Sequence, residues 1–131
     1  MKLVVCLDKN GGMMYKTRRQ SRDAVLMENL ASYLKGRTIV VSPYSEELFS
    51  GRDIRFTVGD AFVAGADDFV FVEDGPLPEA ENVSEVVIYN WCTVYPSSRK
   101  FDLDMSAFKR ISKEKFKGSS HEKITKEVFR K

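Results

Sequence analysis

The chain has 131 residues, with 21 basic and 19 acidic side chains and a hydrophobic share of 43%. That balance excludes a disordered chain and is typical of one globular domain, so we expect a single domain spanning 1–131. No apolar run reaches the ~20 residues that cross a bilayer, and no leader precedes the first apolar run. We therefore expect a cytoplasmic protein without a membrane partner, in which Cys6 and Cys92 stay reduced.

Charge is unevenly distributed along the chain. Residues 1–42 carry eight basic and three acidic groups, residues 43–90 carry two and eleven, and residues 91–131 carry eleven and five. If the two ends meet in space, the domain has a basic side that attracts nucleic acid or an anionic ligand. The alternative is that the charges pair across the fold and serve solubility.

The first forty residues predict a strand, a helix and a second strand. Residues 3–7 form a continuous apolar run that is typical of a buried strand, and turn residues after Asp8 end it. After a basic loop, a helix is predicted from an N-cap at Ser21 to a C′ residue at Gly36. Residues 38–41 form the next strand, and this order predicts a parallel pair.

The later elements are shorter and mostly extended. The sequence predicts strands at 54–58, 68–72, 86–94 and 124–130, and short helices at 44–49, 60–63, 77–82 and 105–111. Because the last strands follow one another without long helices, part of the sheet is expected to be antiparallel. The predicted fold class is α/β, a mixed sheet with one main helix and a few short helices.

The chain resembles a reduced dihydrofolate reductase through motifs spread along its length. Residues 3–8, followed by Gly12-Met13, are similar to that family's first strand and loop. Asp23 stands where the family has a ligand-binding Asp or Glu early in a helix. Residues 86–90 resemble a later strand, with Asn where the family usually has Thr, and residues 126–129 resemble the closing strand. The resemblance implies a dihydrofolate reductase-like mixed sheet.

The same resemblance argues against NADPH-dependent chemistry. The family holds the cofactor's pyrophosphate on a Gly-Gly turn, because only glycine lets the main chain approach so closely. Here the turn position has Val72-Glu73-Asp74, and its carboxylates repel phosphate. The basic cofactor segment after the second strand is replaced by the acidic residues 42–47. We therefore expect no cofactor.

The first candidate site is the start of the predicted helix. Arginines beside free backbone N–H groups and a hydroxyl can trap an anion. The resemblance implies that Asp23 pairs with the donor edge of an amino-heterocycle. The predicted ligand-binding residues are Arg18, Arg19, Gln20, Ser21, Arg22, Asp23, Met27 and Asn90. The alternative is that Ser21 and Asp23 only cap the helix while the arginines are solvated.

A second candidate group is Ser120, His121 and Glu122. His121 is the only histidine, so a His-rich metal site is excluded and no metal is expected. A His-Glu pair can transfer protons, whereas the alternative is a polar turn before the last strand.

An aromatic and basic mixture in the last third of the chain gives RNA as an alternative partner. Tyr89, Trp91 and Tyr95, with residues 99–100 and the lysines within 109–123, can stack on bases and neutralise phosphates. The alternative is a solvated basic face.

These patterns predict a domain that binds a small anionic or amino-heterocyclic ligand, nucleotide-like or pterin-like, without NADPH-dependent catalysis. Two alternatives stay open: RNA binding or processing by the basic C-terminal third, and a residual reductase activity. Composition and motifs leave open whether the protein is an enzyme and how many copies associate.

Overall fold

The computed structural model of the protein describes residues 1–60 and 64–131, and strands predominate in this part of the chain. The strands are β1 (Lys2–Leu7), β2 (Gly12–Tyr15), β3 (Arg18–Arg19), β4 (Thr38–Val41), β5 (Arg55–Val58), β6 (Phe69–Phe71), β7 (Glu85–Asn90), β8 (Arg99–Lys100), β9 (Lys109–Phe116) and β10 (Ile124–Arg130). The helices are α1 (Ala24–Tyr33), α2 (Glu46–Phe49) and a 3₁₀ turn at Ala80–Asn82. No helix of the described ranges is long and apolar enough to span a membrane.

The main sheet is mixed, as the sequence predicts. Within the described residues it has seven strands in the order β5-β4-β6-β1-β7-β10-β9. The central strand β1 is parallel to both β6 and β7, whereas β10 is antiparallel to β7 and β9. The predicted parallel relation of β1 and β4 is confirmed, but β6 lies between the two strands.

Helix α1 packs across one face of this sheet through a short apolar stripe. Leu26, Met27 and Leu30 are buried, and they join a core that includes Val4 of β1. Burial of each such side chain is worth about 1.5–3 kcal/mol, which fixes the helix on the sheet. Helix α1 connects the parallel strands β1 and β4 and therefore runs antiparallel to them. Its N-terminus consequently lies next to the carboxyl end of β1.

The cap of α1 differs from the prediction. The N-cap is Asp23 rather than Ser21, and its side chain accepts hydrogen bonds from the amides of Val25 and Leu26. Ser21 lies two residues before the cap, so its hydroxyl is free for the contacts described below.

A second, smaller sheet occupies the segment that the sequence predicts as a basic loop. Its strands are ordered β3-β2-β8, and Met14 of β2 pairs with Arg19 on one side and Arg99 on the other. Strands of two to four residues are too short for a periodic pattern to indicate them. This sheet places Arg19 beside the start of α1.

Two predicted elements are wrong in type or extent, and one is not described. The predicted helix at 105–111 is wrong, because β9 begins at Lys109 and pairs with β10. The side chains of β9 are almost all exposed, so no pattern of apolar residues indicates a strand there. The predicted strand 86–94 ends at Asn90. The predicted short helix at 60–63 lies outside the described residues from position 61 onward.

Candidate functional site

Asp23 lies at the centre of the candidate site, and none of its side-chain surface is exposed. Its Oδ1 accepts hydrogen bonds from two amides of the first turn of α1, at 2.9 and 3.1 Å, and from the Ser119 amide at 2.9 Å. Its Oδ2 accepts one from the Ser120 amide at 2.9 Å and lies 3.0 Å from His121 Nδ1. Burial alone would raise the pKa of this carboxyl, but the hydrogen bonds hold the pKa well below its usual range. Asp23 is therefore a carboxylate at neutral pH.

His121 connects this carboxylate to two hydroxyl groups. Its Nε2 lies 2.8 Å from Tyr95 Oη and 3.2 Å from Ser21 Oγ. The ring stacks on Trp91 with 4.7 Å between centroids and 24° between planes, and its side chain is 5% exposed. Because the ionised Asp23 attracts the proton to Nδ1, Nε2 is left as the hydrogen-bond acceptor.

The structure brings the two candidate groups of the sequence together. Residues 118–121 pack over the start of α1, where Ser119 Oγ accepts from the Ala24 amide at 2.9 Å and Ser120 Oγ donates to the Arg22 carbonyl at 3.0 Å. The carboxylate that contacts His121 is Asp23, whereas Glu122 is exposed. The two segments form one polar cluster, although about a hundred residues separate them in the chain.

The three arginines of the first candidate site differ in environment. Arg19 Nε and Nη2 each lie 2.8 Å from a carboxylate oxygen of Glu73, and its Nη1 lies 3.3 Å from Glu47. Burial alone would lower the pKa of Arg19, but Glu73 raises it above the usual value. Arg22 is largely exposed and lies 3.6 Å from Glu47, and Arg18 is exposed on β3. Only Arg19 is therefore already neutralised by a buried partner.

A small cavity lies between the start of α1 and the strands β1 and β6. Its volume is about 20 Å³, which is room for about one water molecule. The residues of the first candidate site that line it are Arg19, Gln20, Ser21, Arg22, Asp23 and Met27. Cys6 also lines it, and burial, together with the charge of Glu73, raises the pKa of its thiol, which stays protonated.

Gln20, a residue of this cavity wall, has one buried polar atom that lacks a partner among the described residues. Gln20 Nε2 donates to Asp8 Oδ2 and to the Pro96 carbonyl, both at 3.3 Å, so the amide is oriented by its donor side. Gln20 Oε1 is buried and accepts no hydrogen bond. A buried acceptor without a donor costs about 1–3 kcal/mol, so this oxygen requires a water or a ligand donor.

Asn90 does not line the cavity. Its Nδ2 donates to the Asp8 carbonyl at 3.1 Å and its Oδ1 accepts from the Cys92 amide at 2.8 Å. Cys92 has a positive φ of 57°, which is uncommon for a residue other than glycine. In this geometry Asn90 fixes the chain after β7, next to the loop that carries Tyr95.

The aromatic residues assigned to RNA in the sequence lie mainly inside the protein. Tyr89 has no exposed surface and Trp91 is 4% exposed, so neither ring is accessible to a base. Trp91 and Tyr95 instead contact His121. The sequence did contain a signal of this burial, because an aromatic residue in or directly after a buried strand is typical of a core.

A larger, open cleft lies where β4, β5 and β6 end. Its volume is about 460 Å³, and its lining is mainly apolar, with Val58 and Val72 among its walls. Ser42 Oγ donates to Asp74 Oδ1 at 2.8 Å on its rim. Glu73, the residue before Asp74, is buried and accepts a hydrogen bond from Ser45 Oγ at 2.6 Å. Carboxylates therefore occupy the turn after β6.

The sheet order, the central parallel strands and the single main helix define a dihydrofolate reductase-like fold, as the resemblance implied. Among solved structures, the chain is similar to dihydrofolate reductase from Enterococcus faecalis complexed with NADP(H) and RAB-propyl, with a TM-score of 0.68. The match covers 98% of this chain and 94% of that chain at 8% sequence identity, so it shows the fold alone. No protein-family model matches the chain, and no curated protein matches it.

Proposed function

We propose that the protein is a small-molecule-binding domain whose ligand occupies the cavity at the start of α1. The observation that carries this proposal is the buried Gln20 Oε1, which has no donor among the described residues although it belongs to a residue of the cavity wall. A ligand with an N–H or O–H group at this position supplies the missing hydrogen bond. The rest of the cavity wall combines polar residues at the start of α1 with apolar side chains of the core.

The charges around the cavity favour a compact polar ligand. Arg19 is neutralised by Glu73, and Asp23 is fully engaged by the turn at 118–121. Arg22 lines the cavity and is 62% exposed, so its charge is available to an anionic substituent. An amino-heterocycle of the nucleobase or pterin kind, which carries N–H donors on a small ring, meets these requirements.

Ligand entry requires an open form of the protein, because a cavity of about 20 Å³ is smaller than any heterocycle. The wall with the fewest strand pairs is the small sheet, in which β3 pairs with β2 through only Met14↔Arg19 and Tyr15↔Arg18. Segments with few stabilising contacts open at the lowest free-energy cost. We therefore expect the ligand to bind a minor form in which the Arg19–Glu73 pair is broken and β3 has moved from α1.

The experiment is a thermal-shift screen with guanine, pterin and purine nucleoside monophosphates. We expect at least one of them to raise the melting temperature of the wild-type protein. The shift disappears in Gln20→Met, which removes the unpaired oxygen, and is kept in Ser42→Ala, a matched change on the rim of the larger cleft. Each shift is measured against the melting temperature of the same variant without ligand.

Two outcomes would count against this proposal. A shift that survives Gln20→Met and is lost in Ser42→Ala would place the ligand in the larger cleft. No shift with any compound of the panel would remove the basis for a ligand of this class. In parallel, we expect no NADPH oxidation with dihydrofolate, since Glu73 and Asp74 occupy the turn that would have to meet the pyrophosphate.

A further inference from the structure

The polar cluster at the start of α1 has the arrangement of a nucleophile, a base and an orienting carboxylate. Ser21 Oγ lies 3.2 Å from His121 Nε2, and His121 Nδ1 lies 3.0 Å from Asp23 Oδ2. Both distances are within the range over which a base activates a hydroxyl and a carboxylate orients the base. Ser21 lines the cavity and is half-buried, so a bound ligand and the hydroxyl group meet in the same space.

We infer that Ser21 is a nucleophile activated by His121 and Asp23, and that the amino-heterocyclic ligand proposed for this cavity carries a carboxylic ester that Ser21 attacks. This inference rests on the proposed function, because it assigns a reaction to the same site. It makes the protein a serine hydrolase or an acyl transferase built on a dihydrofolate reductase-like sheet.

The proton balance of the reaction closes within the cluster. His121 Nε2 takes the proton of Ser21 Oγ as that oxygen bonds to the ester carbonyl carbon. When the carbon–oxygen bond to the alcohol breaks, the same proton passes from Nε2 to the leaving alkoxide. Water then attacks the acyl-serine, gives a proton to Nε2, and Ser21 recovers it as the carboxylic acid leaves. No oxidant, metal or cofactor takes part.

The surroundings of His121 fit this role in three respects. Asp23 is a buried carboxylate that stabilises the imidazolium formed during proton transfer. Stacking on Trp91 fixes the plane of the ring, so that Nε2 faces the hydroxyl groups. Arg22 lines the same cavity and is paired only loosely with Glu47, at 3.6 Å, so its charge can turn toward the oxyanion of the tetrahedral intermediate.

Tyr95 provides a way to separate this role from a purely structural one. Its Oη lies 2.8 Å from His121 Nε2, so in the resting protein it competes with Ser21 for the single lone pair of that nitrogen. Removal of the tyrosine hydroxyl leaves Nε2 to Ser21 alone. If the cluster only holds the turn at 118–121 against α1, loss of the tyrosine hydroxyl has no effect on the reactivity of Ser21.

The experiment is the reaction of the full chain with diisopropyl fluorophosphate, followed by intact mass and peptide mapping. We expect a single adduct on Ser21, which forms as fluoride leaves and His121 takes the hydroxyl proton. The adduct is absent in Ser21→Ala and unchanged in Ser106→Ala, an exposed serine in another loop. The labelling rate falls by about 100-fold or more in His121→Gln, whereas Tyr95→Phe reacts faster than the wild type.

The outcomes separate this inference from the proposed function. If the wild-type protein shows the ligand-induced thermal shift but forms no adduct on Ser21, Ser21 is not a nucleophile. The proposed binding site is not contradicted by that result. Equal labelling rates in the wild type and His121→Gln would also overturn it. If His121→Gln does not fold, as judged by circular dichroism, Tyr95→Phe decides, since a labelling rate equal to or below that of the wild type contradicts the competition for Nε2.

Discussion

At the scale of single residues, Asp23 serves two structures at once. Its Oδ1 caps α1 through two amides of the first turn, and its Oδ2 meets the Ser120 amide and the His121 ring. A capping residue normally faces solvent on one side, whereas this one is closed off by the turn at 118–121. The stability of the helix start and the orientation of the histidine therefore depend on the same carboxylate.

We expect the Asp23→Asn substitution to lower the free energy of unfolding by about 2–4 kcal/mol at pH 7, because an amide donor then faces the Ser120 amide and His121. The folded protein holds the pKa of Asp23 below its usual range. Its contribution is therefore complete above the unfolded pKa of about 3.9 and is lost as the pH falls further.

Urea unfolding at pH 7 and at pH 3 measures this difference. The difference in the free energy of unfolding between the wild type and Asp23→Asn should be smaller at the lower pH. The control is Asp104→Asn, an exposed aspartate whose carboxylate accepts only within its own turn, from the Ser106 amide. A gap that is equal at both pH values would show that the ionised form of Asp23 is not what stabilises the site.

Gly118 is required at its position by the closeness of the same carboxylate. A Cβ built at Gly118 would overlap Asp23 Oδ2 and would lie 2.8 Å from Asp23 Cγ and from Ile124 Cδ1. We expect Gly118→Ala to cost about 1–3 kcal/mol, as overpacking does in a well-packed interior. Gly75→Ala is the matched control, because a Cβ there meets open space. Equal melting temperatures for the two variants would contradict the close contact.

At the scale of the elements, Glu73 holds three of them together. It follows β6, forms two hydrogen bonds with Arg19 of β3, and accepts a third from Ser45, the N-cap of α2. Its side chain is 7% exposed and that of Arg19 is 9% exposed, so the pair is largely protected from screening by solvent. The position of the small sheet over the cavity depends on this pair.

Comparison of the unfolding free energies of Arg19→Met and Arg22→Met tests whether the small sheet depends on the pair of Arg19 and Glu73. We expect the first variant to lose about 3–5 kcal/mol of unfolding free energy, since it leaves the buried Glu73 without its cation. The second removes a largely exposed charge, with 62% of the side chain in solvent and 3.6 Å to Glu47, and should change stability by less than about 1 kcal/mol. Chemical denaturation of both variants measures the difference. Similar losses would mean that Arg19 is not a link between β3 and β6.

The strands that the sequence predicts well are those with a continuous or alternating pattern of apolar residues. β1 and β4 are continuous apolar runs, and the sequence predicts their ends to within about one residue. The sequence does not indicate β9, because its side chains are almost all exposed and only its pairing with β10 makes it a strand. It does not indicate β2 and β3, because these strands are too short to show a periodic pattern.

The candidate site was predictable in its parts but not in its assembly. Ser21 and Asp23 on one side, and Ser120 and His121 on the other, are polar residues at element boundaries, where chemistry is commonly found. Their contact depends on the strand order that brings the turn before β10 to the start of α1. No local pattern encodes that contact, since a sheet order results from the packing of the whole chain.

At the scale of the whole molecule, the basic C-terminal segment and the acidic middle segment of the sequence supply the two opposite edges of the main sheet. The basic C-terminal segment forms β9 and β10 at one edge, and the acidic middle segment contains β5 at the other edge. The two ends of the chain meet in the small sheet, where β3 with Arg18 and Arg19 and β8 with Arg99 and Lys100 lie on either side of β2. Exposed lysines on the β9 edge also discourage pairing with another strand.

This charge distribution predicts which edge of the sheet binds polyanions such as heparin or RNA. Lys115 and Arg55 are exposed on the two opposite edge strands, so Lys115→Glu and Arg55→Glu change the net charge equally at opposite ends of the sheet. Because electrostatic attraction falls off within about 10 Å at 0.1 M salt, only the local field around the bound polyanion counts. We expect Lys115→Glu to elute from heparin at clearly lower salt than the wild type, and Arg55→Glu to elute close to it. Equal shifts in elution would mean that net charge alone governs retention. The β9 edge would then not be a polyanion-binding surface.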